Sequence, residues 1–98
     1  MGLGEEAIRR AAPRIVYASI SGYGQTGPRA SLAGHDINYL GYAGVLDQTG
    51  ARSSPPALSN LQIADLLGGA ASAAIALLAA LVDAQRTGRG RHIDVAMK

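Results

Sequence analysis

The chain has 98 residues, which is enough for one small domain and short of the usual size of a two-domain enzyme. With 48% apolar residues but no Phe or Trp, it predicts a core built from Ala, Leu, Ile and Val. A formal charge of +2 and four tyrosines as the aromatic residues argue against nucleic-acid binding, and the absence of cysteine excludes disulfides and a thiolate nucleophile.

The first half of the chain predicts a helix, a strand and a second helix. Residues 4–12 are typical of the tail of a helix that Pro13 breaks. The stretch "RIVYASI" (residues 14–20) is β-branched, aromatic and nearly uncharged, which is typical of a buried parallel strand. Residues 34–46, "GHDINYLGYAGVL", have helical apolar spacing despite three glycines, and a surface loop follows over residues 47–56.

The second half predicts one long helix. Ser59 and Gln62 fit a capping box, in which the serine side chain meets the amide of the third helical residue and the glutamine reaches back. The helix is predicted to run from near Ser59 to about Thr87, with Gly88 as the left-handed residue beyond its end. A second strand is predicted over residues 91–97, "RHIDVAM".

The segment Leu66 to Val82 carries no charge over seventeen residues, near the lower limit for crossing a bilayer. A membrane span is therefore an alternative, although its alanines, its glycines and the flanking Asp65 and Asp83 favour a buried helix of a soluble protein. Two strands and so apolar a helix would leave large apolar surfaces uncovered, so we expect the chain to be part of a larger fold.

The stretch "GYGQTG" (residues 22–27) matches the G-x-G-x-x-G pattern of dinucleotide-binding turns and follows the first strand. In those proteins the turn opens a helix whose amides hold a pyrophosphate. Here residues 28–34 have a poor helical pattern, and Asp47, twenty positions beyond the last glycine, falls in a loop. We therefore predict a tight strand-exit turn that brings the backbone close to a ligand or another chain.

Two positions have side chains suited to proton transfer. A histidine is able to act as a general acid or base, so His35 is a candidate for proton transfer, or alternatively a surface or satisfied core residue. Its neighbours Asp36 and Asn38 are able to order a ligand or the local backbone, and Asp36 alternatively caps the following helix. Asp65 lies at the start of the most apolar helix, where a carboxylate either pairs, faces a cavity, or is an exposed helix-start acid. His92 is predicted to be structural, and no metal-ligand spacing is present.

Three strings together, "RIVYASISGYGQTGP", "AGHDINYLGYAGVL" and "LQIADLLGGAASAAIALLAALVDAQRTGRGRHIDVAM", resemble the central part of the family III CoA-transferases (the CaiB/BaiF family), and most of all its alpha-methylacyl-CoA racemase branch. The resemblance starts near Pro13, and "AGHDINY" followed thirty positions later by "ADLLGG" is its specific part. It implies an α/β fold. Residues 1–98 would be part of a Rossmann-like domain (strand, glycine-rich turn, helix, loop, long apolar helix, strand) whose N- and C-terminal parts lie outside this chain.

The resemblance also implies a site. His35 falls on the family's catalytic histidine and Asp65 on its catalytic aspartate. One would remove the α-proton of a 2-methylacyl-CoA thioester, and the other would return a proton to the opposite face of the enolate. Backbone amides of the glycine-bearing turns and of the long helix start would stabilise that enolate. The segment expected to contact the acyl-CoA comprises Ala33, Gly34, His35, Asp36, Ile37, Asn38 and Tyr39.

Further expectations follow from this resemblance. The reaction needs no metal and no cofactor, since coenzyme A is part of the substrate. The full-length form is an interlocked homodimer that binds neither nucleic acid nor a membrane, and the acidic N-terminus, unlike a signal peptide, indicates the cytoplasm. Two alternatives stay open: CoA transfer through an acyl-aspartyl intermediate at Asp65, and an inactive truncated remnant. The histidine within "GHD" favours the racemase, because transferase members do not generally keep it.

Overall fold

The computed structural model describes residues 2–98 of the chain. Its elements are, in order, α1 (Glu5–Ala11), β1 (Val16–Ser21), α2 (Asp36–Tyr42), α3 (Ala64–Thr87) and β2 (Arg91–Ala96). A 3₁₀ turn at Leu46–Gln48 lies within the predicted loop. The predicted mixed α/β fold is confirmed in outline.

The two strands pair in parallel. Their register runs from Val16 opposite Arg91 to Ser21 opposite Ala96. Because parallel neighbours need a long crossover, the whole of α2, its loops and α3 lie between them in the chain. Both predicted strands and their parallel pairing are confirmed, with β1 starting two residues later than expected. The predicted burial of β1 is wrong within residues 2–98, since its residues are half-buried or exposed.

The predicted start of the long helix is wrong. Residues 59–62 are not helical, and the hydroxyl of Ser59 accepts a hydrogen bond from the amide of Leu61, two residues on, instead of capping a helix. This local bond competes with helix formation, so α3 begins at Ala64. Its end is confirmed: Gly88 has φ +72° and donates its amide to the carbonyl of Ala84 at 2.9 Å.

Helix α3 is 24 residues long, with a mean hydropathy of 2.0 in its most apolar window. By length and composition alone it is able to cross a bilayer, a test that core helices of soluble proteins also pass. Within residues 2–98 it is mostly uncovered: Ile75 is 70% exposed and Leu78 is 64% exposed. The expected apolar surface is therefore present on this face.

As predicted, no helix follows the glycine-rich turn. Gly24 and Gly27 have φ of +87° and +92°, a left-handed conformation that favours glycine. The amide of Gln25 donates to Asp94 Oδ2 at 2.9 Å, and the amide of Gly24 donates to Ser21 Oγ at 3.1 Å. These amides are thus bonded within the chain.

The core is centred on aromatic residues, which corrects the prediction of a purely aliphatic one. Tyr23 and Tyr39 pack edge to face with ring centroids 5.2 Å apart, and both are buried with Leu40 and Ala64. The hydroxyl of Tyr39 donates to the carbonyl of Gly34 at 2.5 Å, so the buried phenol keeps a hydrogen-bond partner. This cluster fixes the start of α2 against the start of α3.

Candidate active site

A cavity of about 320 Å³ lies where the starts of α2 and α3 meet. His35 and Asp36 line it from α2, and Asp65 lines it from the first turn of α3. The other lining residues are mainly apolar: Ile37, Leu40, Leu46, Thr49, Ala57, Leu58, Ser59, Leu61, Gln62 and Ile63. An imidazole and a carboxylate from separate elements therefore share one largely apolar cavity.

His35 is held by the backbone of the helix that it begins. It occupies the position before α2 in an extended conformation, with φ −135°. Its amide donates to Asn38 Oδ1 at 3.0 Å, and its carbonyl accepts from the amide of Asn38 at 2.8 Å. The imidazole itself is exposed at the rim of the cavity, where it is accessible to a ligand.

Asp65 is half-buried in the first turn of α3, where the helix has π geometry as far as Ala71. Its amide donates to Asp36 Oδ1 at 3.0 Å. Asp36 thus caps the start of α3, where the sequence predicts a cap on its own helix; the alternative that it orders a ligand stays a prediction. Asp65 combines two of the arrangements predicted for it, because it is a helix-start acid and also lines the cavity.

Burial raises the pKa of Tyr39 above its ordinary value of 10.0, with further contributions from the nearby Tyr23 and Asp65. Tyr39 is 3% exposed, so its phenol stays protonated and acts as a hydrogen-bond donor to Gly34. Ala64, the residue before Asp65, belongs to the tyrosine cluster, so Asp65 leaves the helix next to that cluster.

The seven residues predicted to contact an acyl-CoA divide into two groups. His35, Asp36 and Ile37 line the cavity. The other four lie outside the cavity lining, and their contact with an acyl-CoA stays a prediction: Ala33, Gly34, Asn38 and Tyr39.

Sequence reasoning missed the opposite wall of the cavity. Leu58, Leu61 and Ile63 line it from the segment before α3, and Leu58 is 69% exposed. The sequence predicts a helix start near Ser59, which would include Leu61 and Ile63, whereas α3 begins at Ala64. A signal for a non-helical wall is the pair Pro55-Pro56, which disfavours helix directly before this segment.

The backbone amides at the starts of α2 and α3 differ in whether their N–H groups already have a hydrogen-bond acceptor. At the start of α3 the amide of Asp65 is bonded to Asp36, and that of Leu66 to the carbonyl of Gln62 at 3.0 Å. These two amides, like those of Gly24 and Gln25 in the glycine turn, are therefore not free to bind an enolate, and a donor role for the other amides of both segments stays a prediction. In the first turn of α2, the amides of Asp36 and Ile37 have no acceptor within residues 2–98.

The second histidine lies on the sheet, away from the cavity. His92 Nε2 is 3.0 Å from Ser19 Oγ on the neighbouring strand, and its ring contacts Tyr17 at a centroid distance of 5.5 Å. This environment fits the structural role predicted for it. Among residues 2–98, no group of three or more His, Asp or Glu side chains is arranged to hold a metal ion.

The fold and this cavity place the chain in a known enzyme class. Residues 1–98 match the model of CoA-transferase family III along their whole length, and the chain belongs to this family. The resemblance that its sequence motifs indicated is thereby confirmed.

The relatives that resemble this chain include proteins named as racemases and proteins named as CoA-transferases. The chain is 44% identical to alpha-methylacyl-CoA racemase of Homo sapiens over 95 residues, which cover 97% of this chain and 25% of the racemase. It is 41% identical to succinate–glutarate CoA-transferase of Agrobacterium fabrum over 96 residues, covering 98% of this chain and 24% of the transferase. The crystal structure of a CAIB/BAIF family protein from Brucella suis superposes with a TM-score of 0.90 at 40% identity, covering 98% of this chain and 25% of that one. The chain thus spans about a quarter of the length of these relatives.

Proposed function

We propose that this chain contributes the two proton-transfer residues of a racemase acting on 2-methylacyl-CoA thioesters. The observation that carries the proposal is that His35 and Asp65, thirty positions apart, line the same cavity. The identity to a protein named alpha-methylacyl-CoA racemase supports the same substrate class.

The proposed reaction is a proton exchange at one carbon. The thioester carbonyl acidifies the α-proton, one of the two residues removes it as a base, and a planar enolate forms. The other residue, on the opposite face and already protonated, donates a proton back to the same carbon. Because an imidazole and a carboxylate both exchange protons, either enantiomer meets one base and one acid.

The enolate oxygen needs hydrogen-bond donors aimed at it. We assign this role to the unbonded amides of Asp36 and Ile37, which directly follow His35 at the N-terminus of α2. The apolar wall of Leu58, Leu61 and Ile63 would contact the acyl chain and strengthen these electrostatic interactions by excluding water.

CoA transfer is the second candidate, and the identity to a succinate–glutarate CoA-transferase supports it. In that reaction the carboxylate of Asp65 attacks the thioester and CoA leaves as a thiolate, so an acyl-aspartyl anhydride forms. The thiolate then attacks the aspartyl carbonyl, which gives an aspartyl-CoA thioester and releases the donor acid as its carboxylate. The acceptor carboxylate attacks this thioester, expels the CoA thiolate and forms a second anhydride. The thiolate finally attacks the acceptor's carbonyl, which gives the new acyl-CoA and regenerates the Asp65 carboxylate. Asp65 is required in both reactions, whereas His35 is required only for the proton exchange.

The test uses a protein of the relatives' full length that carries residues 1–98 of this sequence, called here the full-length enzyme. In deuterated water, a racemase incorporates deuterium at the α-carbon of a 2-methylacyl-CoA without any acceptor acid. His35→Ala is expected to slow this exchange by about 10²–10⁴-fold, the usual contribution of a general base. His92→Ala is the matched control, since His92 lies outside the cavity.

The alternatives give different results. No α-proton exchange in the parent, together with CoA transfer to an added acid that survives His35→Ala and is abolished by Asp65→Asn, would establish the transferase. Absence of both activities in a folded full-length enzyme would contradict both proposed reactions. The proposal also includes a cytoplasmic, interlocked homodimer without a bound cofactor, which sedimentation, cell fractionation and mass analysis of the purified enzyme would check.

A further inference from the structure

A side-chain hydrogen bond joins the two halves of the cavity. Asp36 Oδ1 accepts the amide proton of Asp65 at 3.0 Å, across 29 positions of sequence. Asp36 directly follows His35 in the chain, so this bond connects the segment of the imidazole to the residue that carries the carboxylate.

The bond replaces a cap that α3 lacks locally. Ile63, the residue before the helix, provides no side-chain cap, and Asp65 lies in the first turn, where amides have no acceptor within the helix. An N-cap side chain normally accepts from one of these amides. Asp36 does so from another element, and its negative charge is also favoured by the partial positive charge at the starts of both α2 and α3.

Apolar packing alone would leave the orientation of Asp65 loosely defined. Leu40 and Ala64 are buried in the same cluster, which holds the two helices at contact distance. Apolar contact is non-directional, however, whereas a hydrogen bond restricts angles as well as distance. The Asp36 bond therefore fixes the rotation of the first turn of α3, and with it the direction in which the Asp65 side chain leaves the helix.

We infer that Asp36 is a positioning residue, whose carboxylate sets Asp65 relative to His35 rather than binding the substrate directly. The inference rests on the proposed function, in which Asp65 acts on the thioester. It applies equally to the racemase and to the transferase, because both require Asp65 at a defined place.

Two substitutions of Asp36 distinguish loss of the hydrogen bond to Asp65 from loss of the negative charge. Asp36→Ala removes the acceptor, and Asp36→Asn keeps a side-chain oxygen at the same distance from the backbone. In the full-length enzyme, Asp36→Ala is expected to lower kcat by about 10²-fold, the effect of misplacing a reacting group by about 1 Å. KM should change by less than about threefold, since a positioning residue contributes to the transition state more than to ground-state binding. Asp36→Asn should restore most of the lost rate.

The second measurement does not depend on activity. Hydrogen exchange at the amide of Asp65 should be faster in Asp36→Ala than in the parent, and close to the parent rate in Asp36→Asn. Asp47→Ala is the control, because Asp47 is exposed and lies outside the cavity. Its kcat and its exchange at Asp65 should equal those of the parent.

Two results would overturn the inference. A raised KM with unchanged kcat in Asp36→Ala would show that Asp36 contacts the substrate. Unchanged hydrogen exchange at the Asp65 amide in Asp36→Ala would show that the Asp36 bond does not hold this amide. If the parent enzyme neither labels nor transfers its thioester, the proposed function fails, while exchange at Asp65 still decides whether Asp36 holds the helix start.

Discussion

Replacing Gly22 with alanine is expected to displace the aromatic ring that holds α2 in place. A Cβ atom at Gly22 would lie 2.5 Å from Tyr39 Oη, 2.6 Å from Cε1 and 2.7 Å from Cζ. Since carbon atoms pack at about 3.5–4.0 Å, the ring has to move by roughly 1 Å. Gly34 lies on the same ring, so the space for that movement is small.

The cost follows from this overlap. Inserting a methyl group into a packed core typically lowers the free energy of unfolding by about 1–3 kcal/mol. Tyr39 belongs to α2, whose first turn carries His35, so a shift of the ring also moves the imidazole. A displacement of about 1 Å at a reacting group costs about 10²-fold in rate, and we expect Gly22→Ala to show both losses.

Urea denaturation and α-proton exchange of the full-length enzyme measure the two effects. Gly41→Ala is the matched control, because Gly41 lies in α2 and a Cβ there meets no atom within 4 Å. It should gain up to about 1 kcal/mol from the higher helix propensity of alanine. A Gly22→Ala protein with the stability and exchange rate of the parent would refute the claim that the ring fixes α2.

Two further substitutions probe the same region. Tyr39→Phe should cost about 1–3 kcal/mol at neutral pH by leaving the Gly34 carbonyl without its donor. Because the pKa of Tyr39 is raised in the folded state, the protonated phenol contributes its full stabilisation below pH 10. That contribution is lost as the pH rises through the folded-state pKa. Urea denaturation at alkaline pH should show this loss in the parent and not in Tyr39→Phe. Gly68→Ala would place a Cβ 2.7 Å from the carbonyl oxygen of Met97, so a loss of about 1–3 kcal/mol in thermal unfolding is expected, and an unchanged Tm would contradict it.

Local chemistry explains the parts of the fold that the sequence predicts well. Pro13 ends the first helix region, and Gly88 ends α3 because glycine adopts the left-handed conformation without a steric cost. The parallel strands are evident from their β-branched, uncharged composition. Each of these signals is contained within a few neighbouring residues, so no tertiary contact is needed to interpret them.

The parts that were missed depend on residues distant in sequence. Ser59 and Gln62 have the composition of a capping box, yet the cap of α3 is Asp36, and no local pattern announces a partner 29 positions away. Likewise, Asp94 supplies the acceptor for Gln25 across 69 positions. His35 and Asp65 are recognisable from their sequence context as groups suited to proton transfer. Their catalytic roles and the acyl-CoA contacts came from the family resemblance and remain proposals tested by the variants above.

The pairing of β1 with β2 has a consequence for how the chain acquires its structure. The strands join residues 16–21 to residues 91–96, so the sheet cannot close until nearly the whole segment has left the ribosome. Contacts so distant along a chain form slowly, because the entropy of ordering the intervening loop is lost before the contact is gained. During that interval the alanine- and leucine-rich helix exposes its apolar surface, a condition under which folding intermediates are prone to aggregate.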